Sequence, residues 1–151
     1  MRDILLEGYG LDELHLRQTS RRILLTFGWP NAKRLGSAGG RVYWLYLHRG
    51  FDCIVSTKTN IVLSLFFYRE GCDGHQGALV KTSRGISPGD SLYKIKHVYG
   101  KPDRSGGGCT LSTGEYVRKW ISYRSGVGFQ VGHEGKVEII SLFTVSRERG
   151  E

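Results

Sequence analysis

The chain has 151 residues, 39% of them apolar, which fits one compact domain or two very small ones and excludes a disordered chain. Twenty-two glycines against three prolines point to tight turns and bulges between short strands, not to a flexible linker. The net charge of +8 suggests nucleic acid, acidic proteins or anionic surfaces as partners, yet the excess is spread over both halves and no run of Lys or Arg exceeds two, which argues against a dedicated nucleic-acid arm.

At the N-terminus Asp3 and Glu7 interrupt the only apolar stretch, so no signal-peptide core is expected. No segment approaches the roughly 18 apolar residues of a membrane span. Cys53, Cys72 and Cys109 are odd in number and widely spaced, unlike a secreted disulfide framework. These features together predict a reduced, cytoplasmic protein.

The first predicted helix starts at the cap residue Thr19, has Ile23 and Phe27 on one face, and stops at Gly28 and Pro30. Strands follow over 41–49, 51–57 and 61–68, with hairpin turns at Arg49-Gly50 and Lys58-Thr59-Asn60. Tyr9–Leu16 and residues 78–86 are candidates for additional strands. A second helix begins at Asp90 or Ser91, places Leu92, Ile95, Val98 and Tyr99 at helical spacing, and ends at Gly100 and Pro102. Strands over 116–124, 127–132 and 136–145 complete the chain.

The two halves read alike. At an offset of 72, Phe27, Gly28, Pro30 and Asn31 fall on Tyr99, Gly100, Pro102 and Asp103. At an offset of 76, Trp44 falls on Trp120, Gly50 on Gly126 and Phe67 on Phe143. The expected fold class is therefore α+β, with two tandem copies of a short helix packed on a small antiparallel sheet. The boundaries are 1–70 for the first repeat, 71–84 for a linker, 85–146 for the second repeat and 147–151 for a charged tail.

Gly85, Pro88, Gly89, Asp90, Ser91, Ile95, Tyr99, Gly100, Pro102 and Asp103, followed by Trp120, Tyr123, Gly126, Gly128, Phe129, Gly135 and Val137, form a pattern. It resembles the repeat of the β-lactamase inhibitor protein and BamE (SmpA/OmlA) group. The resemblance implies a helix on an antiparallel sheet and a role in binding proteins. Known members of that group are exported, which departs from the cytoplasmic expectation.

No arrangement of catalytic type stands out. The histidines His15, His48, His75, His97 and His133 form neither HExxH nor a zinc pattern with the cysteines; Cys72 and His75 are the nearest approach to a ligand pair. The run Gly106, Gly107, Gly108 lacks the Lys of a phosphate-binding loop and reads as a hinge-like surface loop. No metal, no cofactor and no enzymatic activity are expected.

Alternation along the strands places Tyr43, Leu45 and Leu47 on the face that meets the helix, with Lys119, Ile121 and Tyr123 equivalent to them. It places Trp44, Tyr46, His48, Tyr116, Arg118, Trp120 and Arg124 together on the other face. Aromatic residues interleaved with Arg are the composition of binding hot spots. The expected function is a non-catalytic protein-binding module, a subunit or accessory factor of a larger assembly, using that basic and aromatic face and its loops. The alternative is a nucleic-acid-associated protein holding phosphate through the same face.

Overall fold

The computed structural model describes residues 2–37 and 39–145; the expected tail, 147–151, lies outside the described residues. The chain runs β1 (Asp3–Leu5), α1 (Ser20–Phe27), β2 (Ala32–Leu35), β3 (Arg41–Tyr46), a 3-10 turn (Leu47–Arg49), β4 (Phe51–Ser56) and β5 (Val62–Tyr68). A second 3-10 turn (Cys72–Gly74), β6 (Val80–Thr82), α2 (Leu92–Tyr99), β7 (Arg104–Gly106), β8 (Cys109–Thr110) and β9 (Tyr116–Val117) follow. Then come β10 (Lys119–Tyr123), β11 (Val127–Val131) and β12 (Val137–Phe143).

Both helices start and stop for local reasons. The hydroxyl of Thr19 accepts from the backbone of Arg22 at 3.2 Å, and that of Ser91 from Lys94 at 3.1 Å, so each cap satisfies an otherwise orphan N–H. Gly28 and Gly100 end them at a φ of 78°, a left-handed value that glycine adopts without strain. Ile23 and Ile95 are the fully buried residue of each helix, and removing each from water contributes about 2 kcal/mol.

The expected two tandem copies of a helix on its own small sheet, packed side by side by joining sheets or sharing a core, are corrected by the topology. The strands of both halves make one eight-stranded antiparallel sheet in the order β2-β3-β4-β5-β12-β11-β10-β7. The join is β5 with β12, where Leu65 lies opposite Leu142 and Phe67 opposite Ile140. These two strands are apolar on both faces, so each is best buried at the centre with a partner strand on both sides. Over the described residues the fold is thus mostly sheet with two helices, not two helix-on-sheet copies. β2 and β7, the outermost strands, were not predicted: their sequences are short and polar and carry no alternation. Tyr9–Leu16 forms no strand but a compact turn with single bridges at Gly10, and β6 pairs in parallel with β1 outside the main sheet.

Both helices cover the same face. Ile23 and Ile95 share one core with Cys53, Leu65, Phe129 and Ile140, to which Leu5, Leu16 and Val80 also belong. The opposite face is traced by the register. Leu45, Asp52, Phe66, Ser141, Gly128, Ser122 and Arg104 form one row, and Tyr68, Ile139, Gln130, Trp120 and Gly106 the next.

Candidate functional site

The open face carries a buried polar cluster at one point. Asp52 stands alone among apolar neighbours in β4, and Tyr68 of β5 donates its hydroxyl to Asp52 Oδ2 at 2.7 Å. His75 lies flat on the Tyr68 ring, centroids 3.5 Å apart, and its Nε2 is 2.6 Å from Asp52 Oδ1. Its Nδ1 faces the backbone carbonyls of Cys72 and Asp73, which can only accept, so Nδ1 is the nitrogen placed to donate to the turn while Nε2 faces the carboxyl of Asp52. Burial, followed by the charge of Asp52, drives the Tyr68 phenol far above its ordinary range. The cluster pins the 72–75 turn onto the sheet.

That turn in turn holds Arg118. Asp73, at a φ of 51° that Asp tolerates better than most residues, receives Nη2 at 2.9 Å and Nη1 at 3.1 Å. Nε of Arg118 donates to Glu138 on β12, and Nη2 also reaches Cys72 Sγ at 3.1 Å. The hydrogen bonds with Asp73, ahead of those with Glu138, raise the guanidinium above its usual value, and the same bonds hold the Asp73 carboxyl below the usual carboxylate range. Burial outweighs the nearby guanidinium at Cys72 and pushes its thiol up to about 11.

Beside Arg118 the sheet and the β8–β9 hairpin enclose an open cleft of about 660 Å³, lined by Tyr116, Trp120, Gln130 and His133 with Asp73, Glu115 and Glu138. Trp120 is 42% exposed, and its indole rests over Gly106, where a Cβ would come within 2.6 Å of the ring. Tyr116 meets His133 edge-to-face at 5.8 Å. The glycine run is no hinge. Gly106 pairs with Trp120, Gly108 donates to the Val117 carbonyl at 2.9 Å, and a Cβ on Gly107 would fall 2.1 Å from the Arg118 carbonyl oxygen. Its glycines serve close backbone approach.

Of the residues expected to form one face, the structure brings together Tyr116, Arg118 and Trp120. Trp44 and Tyr46 lie in the core under α1, where Tyr46 contacts Phe27 and donates its hydroxyl to the Gly28 carbonyl at 2.9 Å. The reason is register: Trp44 lies opposite Cys53, a core residue, so it is Tyr43 and Leu45 that face outward. Tyr123, not Trp120, repeats the Tyr46 contact, donating to the Gly100 carbonyl at 2.9 Å. Matching Trp44 to Trp120 was thus one residue out of step, and a one-residue slip exchanges the two faces of a strand. His48 sits exposed in the 3-10 turn beside a separate hollow at Phe27 and Arg49. Arg124 is solvent-exposed and reaches Asp103 at 3.6 Å, at another hollow.

Sequence reasoning missed Asp52, Tyr68, Asp73, Glu115 and Gln130. A single Asp inside the apolar run of β4 was the one available signal. Among the described residues no group of three or more His, Cys, Asp or Glu is placed to hold a metal ion, and no helix is long and apolar enough to cross a membrane.

No family model matches the sequence, and no curated protein matches it. Solved structures do share its fold. A DUF4309 family protein (YjgB) of Bacillus subtilis is 14% identical with a TM-score of 0.56, over 91% of this chain and 88% of that one. A cysteine-rich secretory protein of Staphylococcus aureus is 14% identical with a TM-score of 0.54, over 95% and 50%. An extracellular protein containing a SCP domain from Bacillus anthracis is 12% identical with a TM-score of 0.51, over 85% and 44%. The chain thus spans about half the length of the last two. These neighbours correct the resemblance to the β-lactamase inhibitor protein and BamE group, a correction that follows from the single continuous sheet. They also correct the cytoplasmic expectation, since two of the three are described as extracellular or secretory.

Proposed function

We propose that the chain is a non-catalytic binding module that engages another protein through the open face of its sheet, and that it works outside the cytoplasm. The observation that carries this reading is Trp120, an exposed indole at the wall of a cleft whose neighbouring wall is fixed by four hydrogen bonds of Arg118. A rigid aromatic anchor beside a preorganised polar rim binds with little loss of side-chain freedom. Arg118 contributes by holding that rim, because its donors are already committed within the chain. The groups left for a partner are the Trp120 and Tyr116 rings and the carboxylate of Glu115, which suit a protruding loop bearing Lys or Arg.

The candidate nucleophiles are poorly set for chemistry: burial pushes the Cys53 thiol up to about 12 and the Cys72 thiol up to about 11, and His75 is enclosed against Asp52. Phosphate binding at the same face would have to overcome three carboxylates in the cleft, so the nucleic-acid alternative draws no support from this site. The secretory and extracellular neighbours support the location.

The test is affinity capture from cell-surface and medium fractions by the tagged full chain and by Trp120→Ala. A stoichiometric protein retained by the wild type should bind the variant more weakly by about 2 kcal/mol or more. Equal retention by both, with the variant folded, rejects the cleft as the site.

A further inference from the structure

The helical side of the molecule carries a second surface, of different chemistry from the cleft. Between Glu13 and Asp52 the chain has seven Lys and Arg residues and no Asp or Glu. This stretch contains α1, the turn after it and the edge strand β2. Three large apolar side chains protrude from it: Leu25 is 75% exposed, Trp29 77% and Leu35 82%. Lys33 ties part of the patch together, with Nζ 5.6 Å from the Trp29 ring and 4.6 Å from the Trp44 ring. Leu35 points to the same side as Lys33, since side chains two apart along a strand share a face. Arg21 and Leu25, four apart on α1, share a helix face and are both exposed.

The same layer continues onto α2, which packs on the same side of the sheet through Ile95. There Tyr93 is 79% exposed and stacks along the helix on His97, with Lys96 and Lys101 exposed nearby in the chain. Lys94 is paired with Asp90 at 3.1 Å and adds little.

We propose that this face docks on an anionic lipid bilayer, with Trp29, Leu25 and Leu35 entering the headgroup boundary and Arg21, Arg22 and Lys33 meeting lipid phosphates. Charge complementarity supplies the attraction, and apolar side chains flanked by cations that can extend toward the headgroups are the composition of interfacial anchors. Trp is the side chain best suited to that depth, having an apolar ring and one polar N–H. A soluble polyanion would account for the cations and leave three exposed apolar groups without a role. The surface lies on the opposite side of the sheet from Trp120, so a docked molecule leaves its cleft open.

The test is sedimentation of the full chain with vesicles of phosphatidylcholine alone and of phosphatidylcholine mixed with an equal part of phosphatidylglycerol. Binding to the mixed vesicles, absent or much weaker on the neutral ones, is expected. The double variant Arg21→Glu, Arg22→Glu should lose about tenfold or more in partitioning. Trp29→Ser with Leu25→Ser, at exposed positions, should lose a similar factor and abolish the blue shift of indole fluorescence. Equal partitioning of wild type and both variants overturns the proposal. So does capture of duplex DNA or soluble polyphosphate with no binding to anionic vesicles.

Discussion

Asp73 and Arg118, 45 residues apart in the chain, meet through two parallel hydrogen bonds of 2.9 and 3.1 Å. Asp73 belongs to the turn that His75 anchors on Asp52, and Arg118 stands at the entry to β10, beside Trp120. A contact between two exposed loops thereby inherits the order of a buried pair. The path from Asp52 through His75, Asp73 and Arg118 to the cleft is what makes the cleft wall a fixed surface and not a pair of mobile loops.

The buried end of that path should dominate stability. His75→Ala removes one partner of a pair with 1% side-chain exposure on each side and leaves Asp52 with the Tyr68 hydroxyl as its remaining side-chain partner. The expected loss is about 3–5 kcal/mol in urea unfolding, because breaking a buried pair by removing one partner costs more than the pair contributes. A loss below about 1 kcal/mol would mean that the turn is held by its backbone bonds alone.

The exposed end predicts a pH dependence. Hydrogen bonds from Arg118, the largest influence, lower the Asp73 carboxyl in the folded chain. A lowered carboxyl contributes stability that is fully present above its unfolded value of about 3.9 and is lost as pH falls through the folded value. Below about pH 4 the wild type should therefore lose stability more steeply than Asp73→Asn. Urea midpoints measured across that window check this, and superimposable slopes would remove the ion pair from the account.

Thiol accessibility gives a separate reading of the same region. Cys53 is buried and Cys72 is half-buried against Arg118, with both thiols raised, whereas Cys109 is exposed on the hairpin. In the native chain at neutral pH a thiol reagent should label Cys109 rapidly and the other two slowly, with all three reacting in denaturant. Arg118→Ala should accelerate labelling of Cys72 selectively, as seen by peptide mass mapping; an unchanged rate would show that the turn does not depend on Arg118.

Gly106 offers a way to disturb the anchor without touching it. A methyl group there would meet the Trp120 ring at 2.6–2.7 Å, so Gly106→Ala must displace the indole. Partner affinity should fall by about 1–2 kcal/mol while far-ultraviolet circular dichroism stays unchanged. Wild-type affinity with a shifted indole would show that Trp120 is not the anchor.

The local elements were legible because their causes are local. Thr19 and Ser91 before apolar residues at helical spacing, and Gly28 and Gly100 followed by prolines, mark both helices within a residue or two. Sheet assembly was not legible, because nothing in β5 or β12 alone says which strand lies beside it. The candidate site suffered from the same lack: the face of Trp44 depends on its register with Cys53, a non-local fact, and the slip of one residue moved two aromatic residues from the core to the surface of the expected site. His75 was visible only as half of the nearest approach to a metal-ligand pair, with Cys72. Its pairing with Asp52 spans 23 positions and is fixed by the fold.

The most direct test of the account is site-specific cross-linking from the open face. A photoreactive phenylalanine analogue placed at Tyr116 in the cleft, and at Tyr93 on the helical side as the control, would be irradiated on the full chain in its native surroundings. The account predicts one discrete protein adduct from position 116, competed away by unmodified chain but not by Trp120→Ala, and no protein adduct from position 93. The same adduct from position 93 with none from position 116 would contradict it, and would transfer the binding function to the opposite face of the sheet.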